Sequence, residues 1–214
     1  MRPQVGVQMR PRIAVLVSGS GSNLQALLDA GDLHGDLVLV ASDKADAHGL
    51  TRAAGAGIPT AVVAMADHPD RPSWEQALIA TVAEAAPDLV VLAGFMRILS
   101  AGFVSRWPTV NVHPSLLPAF AGAHAPADAI RWGVKVSGVT VHYVDEQVDH
   151  GPIIAQQAVP VLPGDTTESL HARIQAVEHQ LLPSVVTAIC QGRVTVTGRH
   201  VDVAGAPATD PARS

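Results

Sequence analysis

One cysteine, few aromatic side chains and a thin, dispersed complement of charge set this 214-residue chain apart. The lone Cys190 excludes an internal disulfide. No Cys/His cluster has the short spacing of a structural zinc site, so a reducing compartment and no metal are expected. His113, His124, His142 and His150 lack the close pairing of a zinc motif. Aromatics make up 3% of the chain, which leaves few platforms for stacking single-stranded bases. Lys and Arg are scattered, and the formal net charge is -5, so nucleic acid is not an expected partner. No apolar run reaches the ~18 residues that a spanning helix needs. The stretch Met1 to Pro11 has Arg2 and Arg10 but no apolar h-region, and so reads as neither signal peptide nor membrane anchor. A cytoplasmic protein without a membrane partner is expected.

What the chain has in quantity is aliphatic. With 48% hydrophobic residues, 214 residues can bury one core, or two closely packed subdomains. The apolar run Arg12 to Val17 ends in Ser18-Gly19-Ser20-Gly21-Ser22, and an apolar-periodic segment, Asn23 to Ala30, follows, giving strand, Gly-rich turn and helix. Further strands are predicted at Leu37 to Ala41, Thr60 to Val63 and Leu89 to Ala93, and helices at Leu50 to Ala56 and Ser73 to Ala86. In the last of these Trp74, Ala77, Leu78, Thr81, Val82 and Ala85 share one face. Wholly apolar strands alternating with helices imply a parallel sheet covered on both sides, a Rossmann-like α/β half. After Ser100 the pattern changes to a mixed sheet: strands near Val110 to His113, Val136 to Val144 and Ile153 to Val161, with helices over Ala125 to Trp132 and Thr167 to Gln191. Pro183 is expected to kink or divide the last helix.

A strand-to-helix turn exposes unpaired N–H groups at the positive end of the helix dipole, and glycine lets an anion approach them. Ser18 to Asn23 therefore suits a phosphate, although a tight turn without a ligand reads the same way. Leu24 stands where a dinucleotide fingerprint has its third glycine, and Asp43 is poorly placed to hold a ribose, so a single terminal phosphate fits better than a dinucleotide.

Asn111 and His113, two residues apart in an extended segment, point to the same side. An amide and an imidazole set against one carbonyl oxygen can stabilise charge developing in acyl transfer. Asp149, between two β runs, is the best carboxylate to join them, and its charge is expected to raise the pKa of His113. Singly, each has an ordinary alternative: a strand-end amide, a satisfied core histidine, a turn residue before Gly151-Pro152. No protein nucleophile stands out: Cys190 lies late in a helix, and the loop serines form no Gly-x-Ser-x-Gly elbow.

Four segments together resemble the phosphoribosylglycinamide formyltransferases of purine biosynthesis: Val17 to Gln25, Val91 to Ser100, Asn111 to Pro118 and Val148 to Gln156. The resemblance runs from about Arg12 to Arg193. It implies Asn111, His113 and Asp149 as the catalytic trio, with His113 as general acid. It further implies Gly21, Ser22, Asn23, Gln175 and Glu178 as contacts for phosphoribosylglycinamide. Arg71, Met96, Arg97, Ile98, Leu99, Asn111, Asp145, Glu146 and Val148 are implied as the site for the co-substrate 10-formyltetrahydrofolate. From the residues alone, Met96, Ile98 and Leu99 offer an apolar wall suited to a flat pteridine, or simply core packing at a strand end.

The chain departs from the family at Ala119 to Pro126, where a Lys-Tyr-x-Gly opening and a second histidine are common. The expected organisation is a disordered extension over 1–11, one formyltransferase domain over 12–203 and a disordered tail over 204–214. Within the domain, 12–100 forms the phosphate-binding half and 101–203 the catalytic and folate half. Monomer and homodimer remain open. A 10-formyltetrahydrofolate hydrolase shares the trio but usually has an extra N-terminal domain, and a methionyl-tRNA formyltransferase adds a basic C-terminal one; this chain is expected to have room for neither. A non-catalytic nucleotide-binding module accounts for the first half only.

Overall fold

The computed structural model describes residues 9–205. Strand β1 (Arg12–Val17) leads into helix α1 (Ser22–Asp29), and β2 (Asp36–Ser42) into α2 (His48–Gly55). β3 (Thr60–Val62) passes through a 3-10 turn to α3 (Arg71–Glu84), and β4 (Leu89–Leu92) is followed by the short α4 (Ala101–Val104). The second half comprises β5 (Thr109–His113), α5 (Ala125–Trp132), β6 (Val136–Tyr143), β7 (Ile153–Pro160), α6 (Thr167–Cys190), and a hairpin of β8 (Val194–Thr197) and β9 (His200–Val203).

Seven strands form one sheet in the order β3-β2-β1-β4-β5-β6-β7. β1 to β5 pair in parallel, and β6 and β7 continue antiparallel. This is the Rossmann-like half continued by a mixed sheet that the sequence pattern predicts. The strand sequence turns back between β1 and β4, a switch point at which connections leave toward opposite faces and open a crevice at the carboxyl ends of the strands. β1 supplies both cores by simple alternation. Ile13, Val15 and Val17 pack with Leu24, Leu27, Ile174 and Leu182 on one face, while Ala14 and Leu16 pack with Trp74, Leu78, Val82 and Phe103 on the other.

Three expectations change. α3 starts two residues early because Asp70 caps it, accepting from the Ser73 N–H at 2.8 Å, with Pro72 tolerated in the first turn. Of the two outcomes expected at Pro183, a kink or a division, division does not occur, since α6 runs through the proline as one helix. Leu182, Val185 and Val186 are buried around the proline, and that packing outweighs the missing hydrogen bond. The β8–β9 hairpin was not anticipated from the sequence, because its strands are only four residues long and mostly exposed, with an apolar face limited to Val194, Val196, Val201 and Val203.

Most of the segments expected to be disordered, 1–11 and 204–214, lies outside the described residues. Within them the ends of the described chain are tied down: Arg10 pairs with Asp32 at 2.7 Å and Asp36 at 2.8 Å, and the Ala204 N–H donates to the Arg193 carbonyl at 2.8 Å. Among the described residues no helix is long and apolar enough to cross a membrane.

Candidate active site

β5 brings Asn111 and His113 to one side of the sheet, and antiparallel pairing sets Asn111 opposite His142 and His113 opposite Thr140. The parallel neighbour β4 places Leu92 beside Asn111, and Leu92 in turn pairs with Leu16 of β1. The polar residues of β5 and the glycine turn after β1 therefore share the carboxyl edge of the sheet, with only β4 between them.

Asp149 joins the cluster from the loop between β6 and β7. Its backbone takes a left-handed φ of 52°, a region that short polar side chains enter more readily than others. Its Oδ2 lies 3.3 Å from His113 Nδ1 and accepts from the Gly122 N–H at 2.8 Å. Its Oδ1 accepts from Asn111 Nδ2 at 3.4 Å and lies 3.7 Å from His142 Nε2. The sequence-predicted trio is thus one contact group.

His142 is a fourth member that the sequence reading passed over. Its Nδ1 donates to the Tyr143 carbonyl at 2.8 Å, which leaves the Nε2 lone pair to accept from Asn111 Nδ2 at 3.3 Å. The Asn111 amide therefore spends both hydrogens on long bonds, the kind that exchange easily for a better acceptor. The only sequence signal for His142 was its place in the β6 alternation, and no single-chain pattern reveals which residue faces it across the ladder.

His113 is buried, and its Nε2 donates to the Phe120 carbonyl at 2.8 Å. Burial pushes its pKa below the usual imidazole value, and the opposing pull of Asp149 does not reverse this. Asp149 acts in the expected sense and raises the imidazole pKa, but desolvation is larger and the net direction is downward. For Asp149 itself burial acts upward, yet His142 when its ring is protonated, the Gly122 amide and the charge of His113 together hold the carboxyl below its ordinary range. The loop that departs from the family touches the cluster through the main chain, at the Phe120 carbonyl and the Gly122 amide. Its altered side chains leave those two contacts in place.

The glycine turn meets the requirements for an anion site. Gly21 has φ 68° and caps α1 without any side chain occupying the free N–H groups. A Cβ there would lie 2.6 Å from the Gly49 backbone, so only glycine fits. Arg52 braces the turn from behind, donating to the Ser20 carbonyl at 2.8 Å and to Gln25 at 2.9 Å. Asn23 Nδ2 donates to Glu178 Oε2 at 3.1 Å, which links the turn to α6, while Asn23 Oδ1 is buried without a partner. Burial raises the Glu178 carboxyl. Gln175 lies three residues earlier along the same helix.

Asp43 is not available to hold a ribose. Its side chain is fully buried, accepting from Ser18 Oγ at 2.5 Å and pairing with Arg97 at 2.6 Å. Ser18 Oγ also accepts from the Met96 N–H at 2.9 Å, Arg71 donates to the Ile98 carbonyl, and Glu75 accepts from the Ser100 N–H at 2.6 Å. The 96–100 segment is therefore held from the turn and from α3 together. Of its apolar side chains Met96 and Ile98 are 68% and 55% exposed, whereas Leu99 is buried in the core beneath, so the expected three-residue wall reduces to two. Val148 is exposed as well, Glu146 is exposed, and Asp145 accepts from the Gln147 N–H at 2.9 Å.

The chain is similar in sequence and fold to known proteins. A formyl transferase family model matches residues 11–186, ending within α6. A phosphoribosylglycinamide formyltransferase of Mycobacterium tuberculosis is 51% identical over 192 residues, covering 88% of this chain and 89% of that protein. The trifunctional purine biosynthetic protein adenosine-3 of Drosophila melanogaster is 47% identical over 197 residues, 89% of this chain but 15% of the much longer relative. The crystal structure of glycinamide ribonucleotide transformylase 1 from Symbiobacterium toebii superposes with a TM-score of 0.89 at 44% identity, covering 95% of this chain and 98% of that one.

Proposed function

This chain belongs to the formyl transferase family, and from that premise we propose that it moves a formyl group from 10-formyltetrahydrofolate to the amino group of 5-phosphoribosylglycinamide, a step of purine biosynthesis in the cytoplasm. In this reading one domain over 12–203 does the work, with the phosphorylated substrate held by 12–100 and the chemistry carried by 101–203. The observation that carries the proposal is the meeting of Asn111, His113 and Asp149, with 3.3 and 3.4 Å contacts, at the edge of the sheet that also carries the glycine turn, one strand away from the switch point.

The exposed turn at Gly21, Ser22 and Asn23 suits the substrate phosphate, with Gln175 and Glu178 completing that end. Met96 and Ile98, both exposed, suit the apolar ring of the folate, which supplies the formyl carbon. Arg71, Arg97, Leu99 and Glu146 frame or support that side.

Asn111 gives up one of its long hydrogen bonds and donates to the formyl oxygen as charge grows on it. His113 donates beside it by exchanging the Phe120 carbonyl for the formyl oxygen at Nε2, and Asp149, against Nδ1, stabilises the imidazole in its protonated form. A pKa depressed by burial makes His113 a stronger acid once charged, which favours proton delivery to a leaving nitrogen. The substrate amine attacks the formyl carbon directly, the bond from that carbon to the folate nitrogen breaks as that nitrogen takes the proton of His113, and the proton shed by the amine recharges the neutral imidazole. Cys190 offers no thiolate for a covalent route, since burial pushes its thiol up to about 11.

Tetrahydrofolate release, followed by absorbance with and without the phosphorylated amine, tests the proposal. Release that requires the amine supports transfer; equal release without it means hydrolysis and overturns the reading. His113→Ala is expected to lose about a thousandfold in turnover while folate binding persists.

A further inference from the structure

The β8–β9 hairpin lies beyond residues 11–186, which the family model matches, yet its turn reaches the loop that carries Asp149. We propose that Arg199, at the tip of this hairpin, is a positioning residue that clamps the β6–β7 loop and thereby holds Asp149 against His113. The proposal rests on the transfer chemistry given above and adds to it a residue outside the trio.

Arg199 Nη2 donates to the His150 carbonyl at 2.6 Å. His150 directly follows Asp149, so this bond fixes the His150–Gly151 peptide, one residue beyond the carboxylate, and limits how far the backbone at Asp149 can turn. The same residue is held a second way: His150 Nδ1 lies 2.8 Å from Asp145 Oδ2, and Asp145 Oδ1 accepts from the Gln147 N–H at 2.9 Å. The loop is thus cross-braced internally from Asp145 to His150, and Arg199 is the brace that enters from another element.

Such a brace has something to hold. Asp149 sits at φ 52°, where a residue with a side chain is disfavoured and relaxes unless its surroundings fix it. The hairpin is a firm anchor: β9 packs against β7, and Arg193 Nη1 donates to the Ala204 carbonyl at 2.9 Å across its foot. A charged donor to a carbonyl is among the stronger hydrogen bonds, and here it is aimed at one loop peptide.

Arg199→Ala in the full chain is expected to lower kcat about tenfold, raise the Michaelis constant for the folate, and leave that for the phosphorylated sugar within about twofold. Melting should stay near wild type, because the arginine is exposed. Arg199→Lys, which keeps one cationic donor, is expected to recover part of kcat. His150→Ala keeps the carbonyl and is expected to cost less than Arg199→Ala. Amide hydrogen exchange over residues 145–151 should quicken in Arg199→Ala. Unchanged exchange there overturns the clamp whether or not the wild type transfers formyl groups, and unchanged kcat alongside an active wild type overturns its catalytic role. Failure of the wild type to turn over, with faster exchange in the variant, removes the transfer reading and leaves the clamp standing.

Discussion

Gly151→Ala tests how finely the catalytic loop is held. A Cβ built on Gly151 falls 1.9 Å from the Tyr143 carbonyl oxygen and 2.8 Å from its carbon, both backbone atoms at the end of β6. To reach the 3.0 Å below which real Cβ contacts essentially do not occur, the two segments must part by about 1.1 Å. That displacement reaches the active site by two routes. Asp149 lies two residues before Gly151, and the Tyr143 carbonyl that is struck is the acceptor orienting His142 through its Nδ1. A shift of about 1 Å in reacting groups costs on the order of a hundredfold in rate, about 2.7 kcal/mol of transition-state stabilisation. The overpacking itself costs about 1–3 kcal/mol of stability, which lowers Tm by a few degrees and leaves the protein folded. The assay is tetrahydrofolate release at saturating substrates, with a melting curve on the same sample. Turnover within about threefold of wild type in the folded variant would refute the reasoning, because the loop would then absorb the methyl group without moving the carboxylate.

Two further outcomes are expected. Asn23→Asp places a carboxylate against Glu178, 3.1 Å from the present amide nitrogen, and at the turn that suits phosphate. The Michaelis constant for the phosphorylated substrate should rise about tenfold or more, with that for folate unchanged; an unaltered value counts against the anion site. Glu178→Gln probes the buried carboxyl. Burial raises its pKa above the unfolded value, so the fold favours the neutral acid; the stability this provides is present at low pH and is lost as pH rises through the raised value. Glutamine cannot ionise and still accepts from Asn23, so the variant should match wild type near about pH 4 and melt higher at about pH 8. Parallel melting curves across that range would sink the assignment.

The parallel half was legible because its strands are apolar throughout, so Arg12 to Val17 and Leu89 to Leu92 announce burial on both faces without help from the rest of the chain. Asn111 and His113 were legible for a similarly local reason: residues two apart on a strand share a side. His142 was not, since its role depends on a register between β5 and β6 that the sequence does not state. The depressed pKa of His113 was missed because spacing reveals a charged neighbour but not the degree of desolvation. Leu99 and Met96 look alike as apolar strand-end residues, and only packing separates the one sunk into the core from the one left exposed. Arg199 escaped notice because its partner is a main-chain carbonyl, which carries no signature in the sequence.

The left-handed backbone at Asp149 has a genetic corollary. One codon must satisfy two unrelated demands, a torsion that favours short polar residues and a negative charge within reach of an imidazole. Asparagine meets the first and fails the second; glutamate keeps the charge and loses the compactness that makes the torsion tolerable. A substitution of this aspartate is therefore expected to disturb the bend, the charge, or both at once.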